Sequence, residues 1–243
     1  MNLIVDIGNS SVKLAVFEKQ TLTFLNRKKA NDLEHSILEI LNRFPKIEQI
    51  VVASVAAFDT SHFSQFFSSY KILFLNSKSK FPFKNLYQTP ETLGLDRMAL
   101  VAAAVCKYPN QNVLIIDAGT CITYDFIDAE SNYYGGAISP GIQMRYKALY
   151  ENTDRLPLLK PIMPSNFIGN STQSAIHSGV VFGVVNEIDG VVASYKSKYS
   201  DLTVILSGGD ANFLCKQFKI SIFAFSNFLL EGLNFLLEYN SNK

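Results

Sequence analysis

Tryptophan is absent, and only 18% of the 243 residues carry charge. That low charge, set against 48% hydrophobic residues, excludes a disordered chain and fits a well-buried globular one. A net charge of +1 provides no strongly basic surface, so neither nucleic acid nor an anionic membrane is expected as a partner. Cysteine is scarce. Cys106, Cys121 and Cys215 stand far apart without a CxxC spacing, which argues against a disulfide framework or a zinc site. Each reads as a small buried hydrophobe. His35, His62 and His177 are scattered and match no metal or triad pattern. No apolar segment reads as approaching the roughly 20 residues that a bilayer span needs. The N-terminus enters a strand without a signal-like region, so a reducing cytoplasm is the expected location. Also missing are a Walker A sequence, a kinase-type glycine-rich loop and a GxGxxG fingerprint.

Aromatics are plentiful: 19 Phe and 11 Tyr suit a core and a subunit interface. The stretch that organises the chain is Leu3 to Val16, LIVDIGNSSVKLAV. Leu3, Ile4 and Val5 form an apolar run ending at Asp6, as in a buried strand. Gly8, Asn9, Ser10 and Ser11 supply turn chemistry. Val12, Leu14 and Val16 alternate with Lys13, Ala15 and Phe17, as in a returning strand. The reading is a tight hairpin with Asp6 at its mouth and Lys13 close by. Its turn is shaped for phosphate, with a carboxylate to hold a hydrated cation. The same residues also suit an ordinary surface hairpin with a polar tip.

A third strand is expected over 21–29. A helix follows from the capping pair Asn31 and Glu34 to Phe44, then a buried strand over 49–55, an aromatic-striped helix over 59–70 and a strand over 71–75. Residues 76–89 are polar, contain Pro82 and read as a long loop of the kind that often carries function. A helix follows over 93–107. At Val113 the pattern restarts: VLIIDAGTCITYDFID repeats the apolar run, the carboxylate (Asp117), the Gly–Thr turn and the alternating strand. A strand over 133–139, a helix over 141–150, a long helix over 172–195, a strand over 202–206, a short strand near Ile220 and an amphipathic helix over 227–239 complete the second half. The fold class is α/β, with two βββαβα units facing each other across a cleft for one ligand. The polar linker near 108–112 sets the expected domains at 1–110 and 111–243.

Two Asp-Gly turns over one nucleotide suit phosphoryl transfer, where spread negative charge must be positioned and neutralised. Backbone N–H groups and hydroxyls cradle phosphate, Lys13 adds a point charge, and Asp6 and Asp117 hold cations. A further block, Pro90 to Arg97 (PETLGLDR), closes the long loop and opens a helix. Asp96 and Arg97 fall in its first turn, where N–H groups favour anions. Asp96 suits accepting a proton from a substrate hydroxyl, and Arg97 suits a carboxylate. The plainer reading makes Asp96 a helix cap and Arg97 a solvated side chain. Gly208 and Gly209 allow close approach to a flat ligand such as adenine, or form an ordinary turn. Glu187 and Asp189 read as a solvated patch on the long helix.

These motifs, in their order, resemble those of the type III pantothenate kinases, members of the acetate kinase, sugar kinase, Hsp70 and actin superfamily. The resemblance rests on Asp6-Ile-Gly-Asn-Ser, Leu93-Gly-Leu-Asp-Arg97, Asp117-Ala-Gly-Thr120, Gly135-Gly-Ala-Ile-Ser-Pro-Gly141, and Thr172 ahead of Ala175-Ile176 and Gly179. The double turn alone identifies the superfamily; the LGLDR block narrows it. The resemblance implies two duplicated ribonuclease H-like domains with a nucleotide cleft between them. It implies ATP-dependent phosphorylation of pantothenate, the first step towards coenzyme A. It assigns ATP phosphate contacts to Asp6, Ile7, Gly8, Asn9, Ser10, Ser11, Val12 and Lys13, and to Thr120. Asp96 becomes the general base; Tyr87, Gly94, Leu95, Asp96, Arg97 and Thr172 become pantothenate contacts. Asp117 becomes the ligand of a monovalent cation, potassium or ammonium, beside magnesium on ATP. A homodimer is implied, with the pantothenate pocket near its interface. Ser10 stands where threonine is more usual, and Cys121 where alanine is frequent. Two alternatives stay open: a kinase of another small hydroxy acid or sugar, and a catalytically silent nucleotide-binding regulator.

Overall fold

Leu3, Ile4 and Val5 are fully buried, as an apolar run must be when both faces of its strand are covered. In the computed structural model, which describes residues 1–8, 11–28, 33–54, 58–218 and 221–241, they lie in β1 (Asn2–Ile7). β1 pairs antiparallel with β2 (Val12–Glu18), which pairs in turn with β3 (Thr21–Lys28). On its other side β1 runs parallel to β4 (Gln49–Ser54), followed by β5 (Lys71–Phe74), giving the order β3-β2-β1-β4-β5. Because side chains alternate across a strand, one face carries Leu3, Val5, Leu14, Ile50 and Val52. That face packs on α1 (Leu33–Arg43) and α2 (Thr60–Phe66) through Ile37, Ile40, Phe63 and Phe67. Asp59 caps α2 by accepting from the His62 N–H at 2.9 Å. The helix is shorter than expected because its last turn opens at Phe67, before the serine pair. The expected cap Asn31 lies outside the described residues.

The opposite face, with Ile4, Ala15, Val51 and Ala53, packs on α3 (Leu95–Lys107), whose Ala99 and Ala102 allow a close approach. The polar stretch before it is not without structure. It contains the short strand β6 (Lys84–Asn85), and a single 3-10 turn at Pro90–Thr92 follows it.

The second unit repeats this plan. β7 (Val113–Ala118) pairs antiparallel with β8 (Cys121–Ile127), and β8 with β9 (Asn132–Pro140). α4 (Ile142–Glu151) and the long α5 (Thr172–Lys198) follow. β10 (Thr203–Ser207) is parallel to β7. After α6 (Ala211–Leu214), β11 (Phe223–Ala224) adds parallel to β10. Within this unit the order is β11-β10-β7-β8-β9, the counterpart of the first sheet. The duplicated ribonuclease H-like architecture is therefore present, with each Asp-Gly turn following the first strand of its copy. The short strand expected near Ile220 lies at 223–224, and Ile220 itself is outside the described residues.

α5 corrects one expectation, since it is long and apolar enough by length and composition to cross a membrane. Ile176, Val180, Val184, Ile188 and Val192 form a stripe that packs on Leu114, Ile116, Ile122 and Tyr124, which is the role of a core helix.

The compact units are Met1–Pro109 with Phe228–Lys243, and Asn110–Asn227. The division at Pro109 falls in the expected linker, but the expected run of a second domain to residue 243 differs at the last helix. That helix, α7 (Phe228–Ser241), packs on the first sheet through Leu230, Leu233, Leu236 and Leu237. Gly232 lies so close to α3 that an added Cβ would meet the Ala99 carbonyl oxygen at 2.0 Å. Asn234 donates to the Lys19 carbonyl at 2.9 Å and accepts from Asn2 at 2.8 Å. The second face of the first sheet was only partly covered by α3, and the amphipathic C-terminal helix buries the rest.

Candidate active site

At the mouth of the first hairpin the Gly8 N–H donates to the Ser11 carbonyl at 3.1 Å, closing the turn. Asn9 and Ser10 lie outside the described residues. Asp6 is directly opposite Lys13 in the β1–β2 register, and Lys13 Nζ donates to Asp6 Oδ2 at 2.9 Å. Asp6 is 7% exposed, so this pair is shielded from most solvent screening. The sequence reading kept the two charges apart, with lysine for phosphate and aspartate for a cation. In the structure the first neutralises the second. The pair lies on the sheet face shared with Ile4 and Ala15, which is the face that packs on α3.

The head of α3 gathers the second group. Gly94 is the N-cap, and its carbonyl accepts from the Met98 N–H at 3.2 Å. Asp96 Oδ1 accepts from the Arg97 N–H at 2.8 Å, which aims the carboxylate along the start of the helix. A Cβ at Gly94 would lie 2.3 Å from that same oxygen, so the glycine makes room for the carboxylate. Arg97 is not the solvated side chain of the plainer reading: it is 5% exposed. Its guanidinium sits 5.5 Å from the centre of the Tyr87 ring, within cation–π range. Tyr87 is positioned by its N–H donating to Asn85 at 3.0 Å. Tyr87, Gly94, Asp96 and Arg97, chosen from sequence, are thus brought together, with half-buried Leu95 beside them.

In the second unit Thr120 is exposed at the tip of the β7–β8 turn. The turn is held by the Gly119 N–H donating to the Cys121 carbonyl at 2.9 Å, and by the Gly141 N–H donating to the Thr120 carbonyl at 3.1 Å. Asp117, next to the last residue of β7, is half-buried, opposite Thr123 on β8 and Ser207 on β10. Gly208 follows with φ of 97°, the left-handed region that favours glycine. An added Cβ there would meet the Ala118 carbonyl oxygen at 2.2 Å, so the backbone of this segment packs closely on the end of β7.

Thr172 lies elsewhere, at the first turn of α5, where Ser171 and Ser174 form a capping box. It lines a cavity of about 910 Å³ with Arg145, Asn152, Thr153, Leu156 and Ile176. This cavity is on the α4–α5 side of the sheet, whereas Asp117 is on the other face.

Sequence reasoning missed a network within the second unit that ties β8, β9, α4 and α5 together. Arg145 donates to the Pro140 carbonyl at 2.8 Å, to Ser139 at 2.9 Å and to Glu187, while Tyr124 donates to Glu187 at 2.8 Å. Glu187 is therefore no part of a solvated patch, and Asp189 has one buried oxygen. No local signal reveals partners 42 and 63 residues apart. Burial pushes the Glu187 carboxyl up, but hydrogen bonds from Arg145, Tyr124 and Ser139 outweigh it and hold the group below its ordinary value. Burial and the bond to Glu187 push the Tyr124 hydroxyl far up. A carboxyl depressed on folding stabilises above its unfolded value of about 4.3 and loses that contribution as pH falls through the lower folded value. Glu187→Gln is expected to lower Tm by about 3–6 °C at pH 7. The gap to the parent should close below about pH 4. Thermal melts from pH 3 to pH 8 check this; a gap that persists unchanged at pH 3 refutes the assignment.

Comparison with known proteins gives a consistent result. A profile of the family described as type III pantothenate kinase matches residues 2–194. A type III pantothenate kinase of Flavobacterium johnsoniae is 50% identical over 239 residues, covering 98% of each chain. Among solved structures, a Baf family protein of Campylobacter jejuni superposes with a TM-score of 0.64 at 23% identity, covering 99% of this chain and 100% of its own. A glucokinase from an Antarctic psychrotroph superposes with a TM-score of 0.54 at 14% identity over 98% of each chain, a likeness of fold.

Proposed function

The chain belongs to the type III pantothenate kinase family, whose members phosphorylate pantothenate with ATP on the way to coenzyme A, and from that premise we propose that Asp96 is the general base of the reaction. The observation that carries this is the carboxylate at the head of α3. Its Oδ1 is fixed by the Arg97 N–H, and Gly94 leaves its side clear. Oδ2 then takes the proton of the pantothenate hydroxyl as that oxygen attacks the γ-phosphorus and the bond to ADP breaks. Tyr87, Gly94, Leu95 and Arg97 line the pantothenate site. The stacked Tyr87–Arg97 pair supplies a fixed positive charge with an apolar wall, suited to the polar end of a small acid. Thr172 is the further pantothenate contact that the family pattern implies; it lines its own cavity, with Arg145, at the first turn of α5.

ATP phosphates are held by Asp6, Ile7, Gly8, Asn9, Ser10, Ser11, Val12 and Lys13, and by Thr120. Exposed Thr120 presents its hydroxyl from a turn whose backbone is already bonded. The Asp6–Lys13 pair is ready to open, with Lys13 turning to phosphate and Asp6 released towards a hydrated magnesium ion. One carboxylate plus substrate phosphates suits magnesium, which keeps several waters. Asp117 holds a monovalent cation, potassium or ammonium; the fit is supported by the buried hydroxyl oxygen of Thr123 opposite it, which has no hydrogen-bond partner. When bound, the two cations neutralise charge on the phosphates and the turn.

A homodimer in the cytoplasm completes the reading. Ile138, Leu158, Ile162, Phe167 and Ile168 are each 58–73% exposed, apolar side chains that a subunit interface would cover. Sedimentation as a monomer at micromolar concentration would remove the dimer. The test of the whole is ADP release measured with and without pantothenate, in potassium and in sodium. Release only with pantothenate, and faster in potassium, is expected. Release with a different hydroxy acid or sugar alone would move the substrate, and ATP binding without any release would make the chain a silent regulator.

A further inference from the structure

The two copies of the repeat differ at one register position, and the difference is chemical. In the first copy the residue paired with the strand-end carboxylate is Lys13, whose ammonium lies 2.9 Å from Asp6. In the second copy the residue paired with the strand-end carboxylate Asp117 is Thr123. A tethered cation in one copy is replaced by a neutral hydroxyl in the other. The Thr123 oxygen is buried and makes no hydrogen bond, an expensive arrangement for a hydroxyl.

The row extends to the next strand. Ser207, 2% exposed, pairs with Asp117 from β10. Directly paired residues share a sheet face, with Cβ atoms roughly 4.5–5.5 Å apart, so three oxygen-bearing side chains stand side by side. β10 is fixed in this register by the Asp210 N–H donating to the Ala118 carbonyl at 2.9 Å. Two residues further along β8 on the same face, Asp125 accepts from Tyr133 at 2.7 Å through Oδ1, while its Oδ2 is buried without a hydrogen bond. At the level of Asp117 the row therefore carries one carboxylate and two neutral hydroxyls. A formal charge of −1 matches a monovalent cation, whereas calcium-type sites gather several carboxylates. Among the described residues no cluster of three or more His, Cys, Asp or Glu is set to hold a metal.

We propose that Thr123, with Ser207, completes the monovalent-cation site at Asp117, so that the diffusible cation occupies in the second copy the place that the Lys13 ammonium holds in the first. The inference rests on the reading of Asp117 as the cation ligand and extends it to residues that the motifs do not mark.

The test uses the full chain with a non-hydrolysable ATP analogue. Tm is followed as potassium replaces choline at constant ionic strength, and ADP release is measured separately. Thr123→Val is expected to raise the potassium concentration for half-maximal stabilisation about tenfold, one ligand lost. Thr123→Ser, which keeps the oxygen, should retain the parent midpoint and guards against a folding artefact in the valine variant. Thr123→Lys should show a Tm indifferent to potassium and ADP release that no longer needs it, the tethered ammonium standing in for the ion. If Thr123→Val keeps the parent midpoint while Asp117→Asn abolishes the potassium response, the Thr123 assignment is overturned and the reading of Asp117 stands. If neither Tm nor ADP release of the parent chain responds to potassium, the cation reading itself falls, and this inference with it.

Discussion

Asp96→Asn is expected to lower kcat by about 10²–10⁴-fold, the contribution of a positioned general base. The amide oxygen can still accept from the Arg97 N–H, now at 2.8 Å, so the head of α3 keeps its geometry. What is lost is the second oxygen as a proton acceptor. The loss should therefore fall equally on kcat and kcat/KM for pantothenate, the signature of an interaction made in the transition state. ATP affinity by calorimetry should stay within about twofold and Tm within about 2 °C, since neither depends on the missing charge beyond a first-turn dipole effect. Were Asp96 only a favourable first-turn residue, the same substitution would cost a few tenths of a kcal/mol in stability and leave turnover intact. Near-parental kcat thus removes the base from this position.

Gly94→Ala carries the second-largest expected effect, and the reason lies in which atom is displaced. Gly94 has φ −59° and ψ 135°, ordinary for any residue, so alanine brings no backbone strain. Its Cβ would nevertheless lie 2.3 Å from Asp96 Oδ1, and the carboxylate, the free end of a side chain, must swing aside. The fold should tolerate that movement; a reaction that uses this carboxylate as its base should not. A displacement of about 1 Å at a reacting group costs on the order of 10²-fold in rate. We expect kcat to fall by about that factor while Tm and ATP affinity are nearly unchanged. Contrast Gly208, where the neighbouring atom is the backbone carbonyl of Ala118 and nothing can swing away. Stopped-flow or steady-state turnover of Gly94→Ala beside its melting curve decides the matter. A parental rate would show that the carboxylate need not hold its observed place.

The local signals in the sequence were strong wherever a strand was covered on both faces or a turn needed small residues. Leu3 to Asp6 and Val113 to Asp117 are apolar runs ending in a carboxylate, and both became first strands of their sheets. The LGLDR block announced its own helix start, and Tyr87 was marked by the family pattern. The limit appears where partners are remote. Arg145 and Glu187 share no local pattern, and an acidic residue on a long helix looks solvated until the sheet and α4 are folded against it. The same holds for Arg97, whose burial depends on the loop bearing Tyr87.

By itself, then, the sequence determined the repeated hairpins, their carboxylates, the Asp96 carboxylate at the head of a helix and the family, because each is written in adjacent residues. Only tertiary structure decided that α7 closes the first sheet, that Lys13 rests on Asp6 and that Thr123 stands opposite Asp117. Those outcomes depend on which apolar face is left to cover and on how two strands align, and both are settled by the assembled sheet.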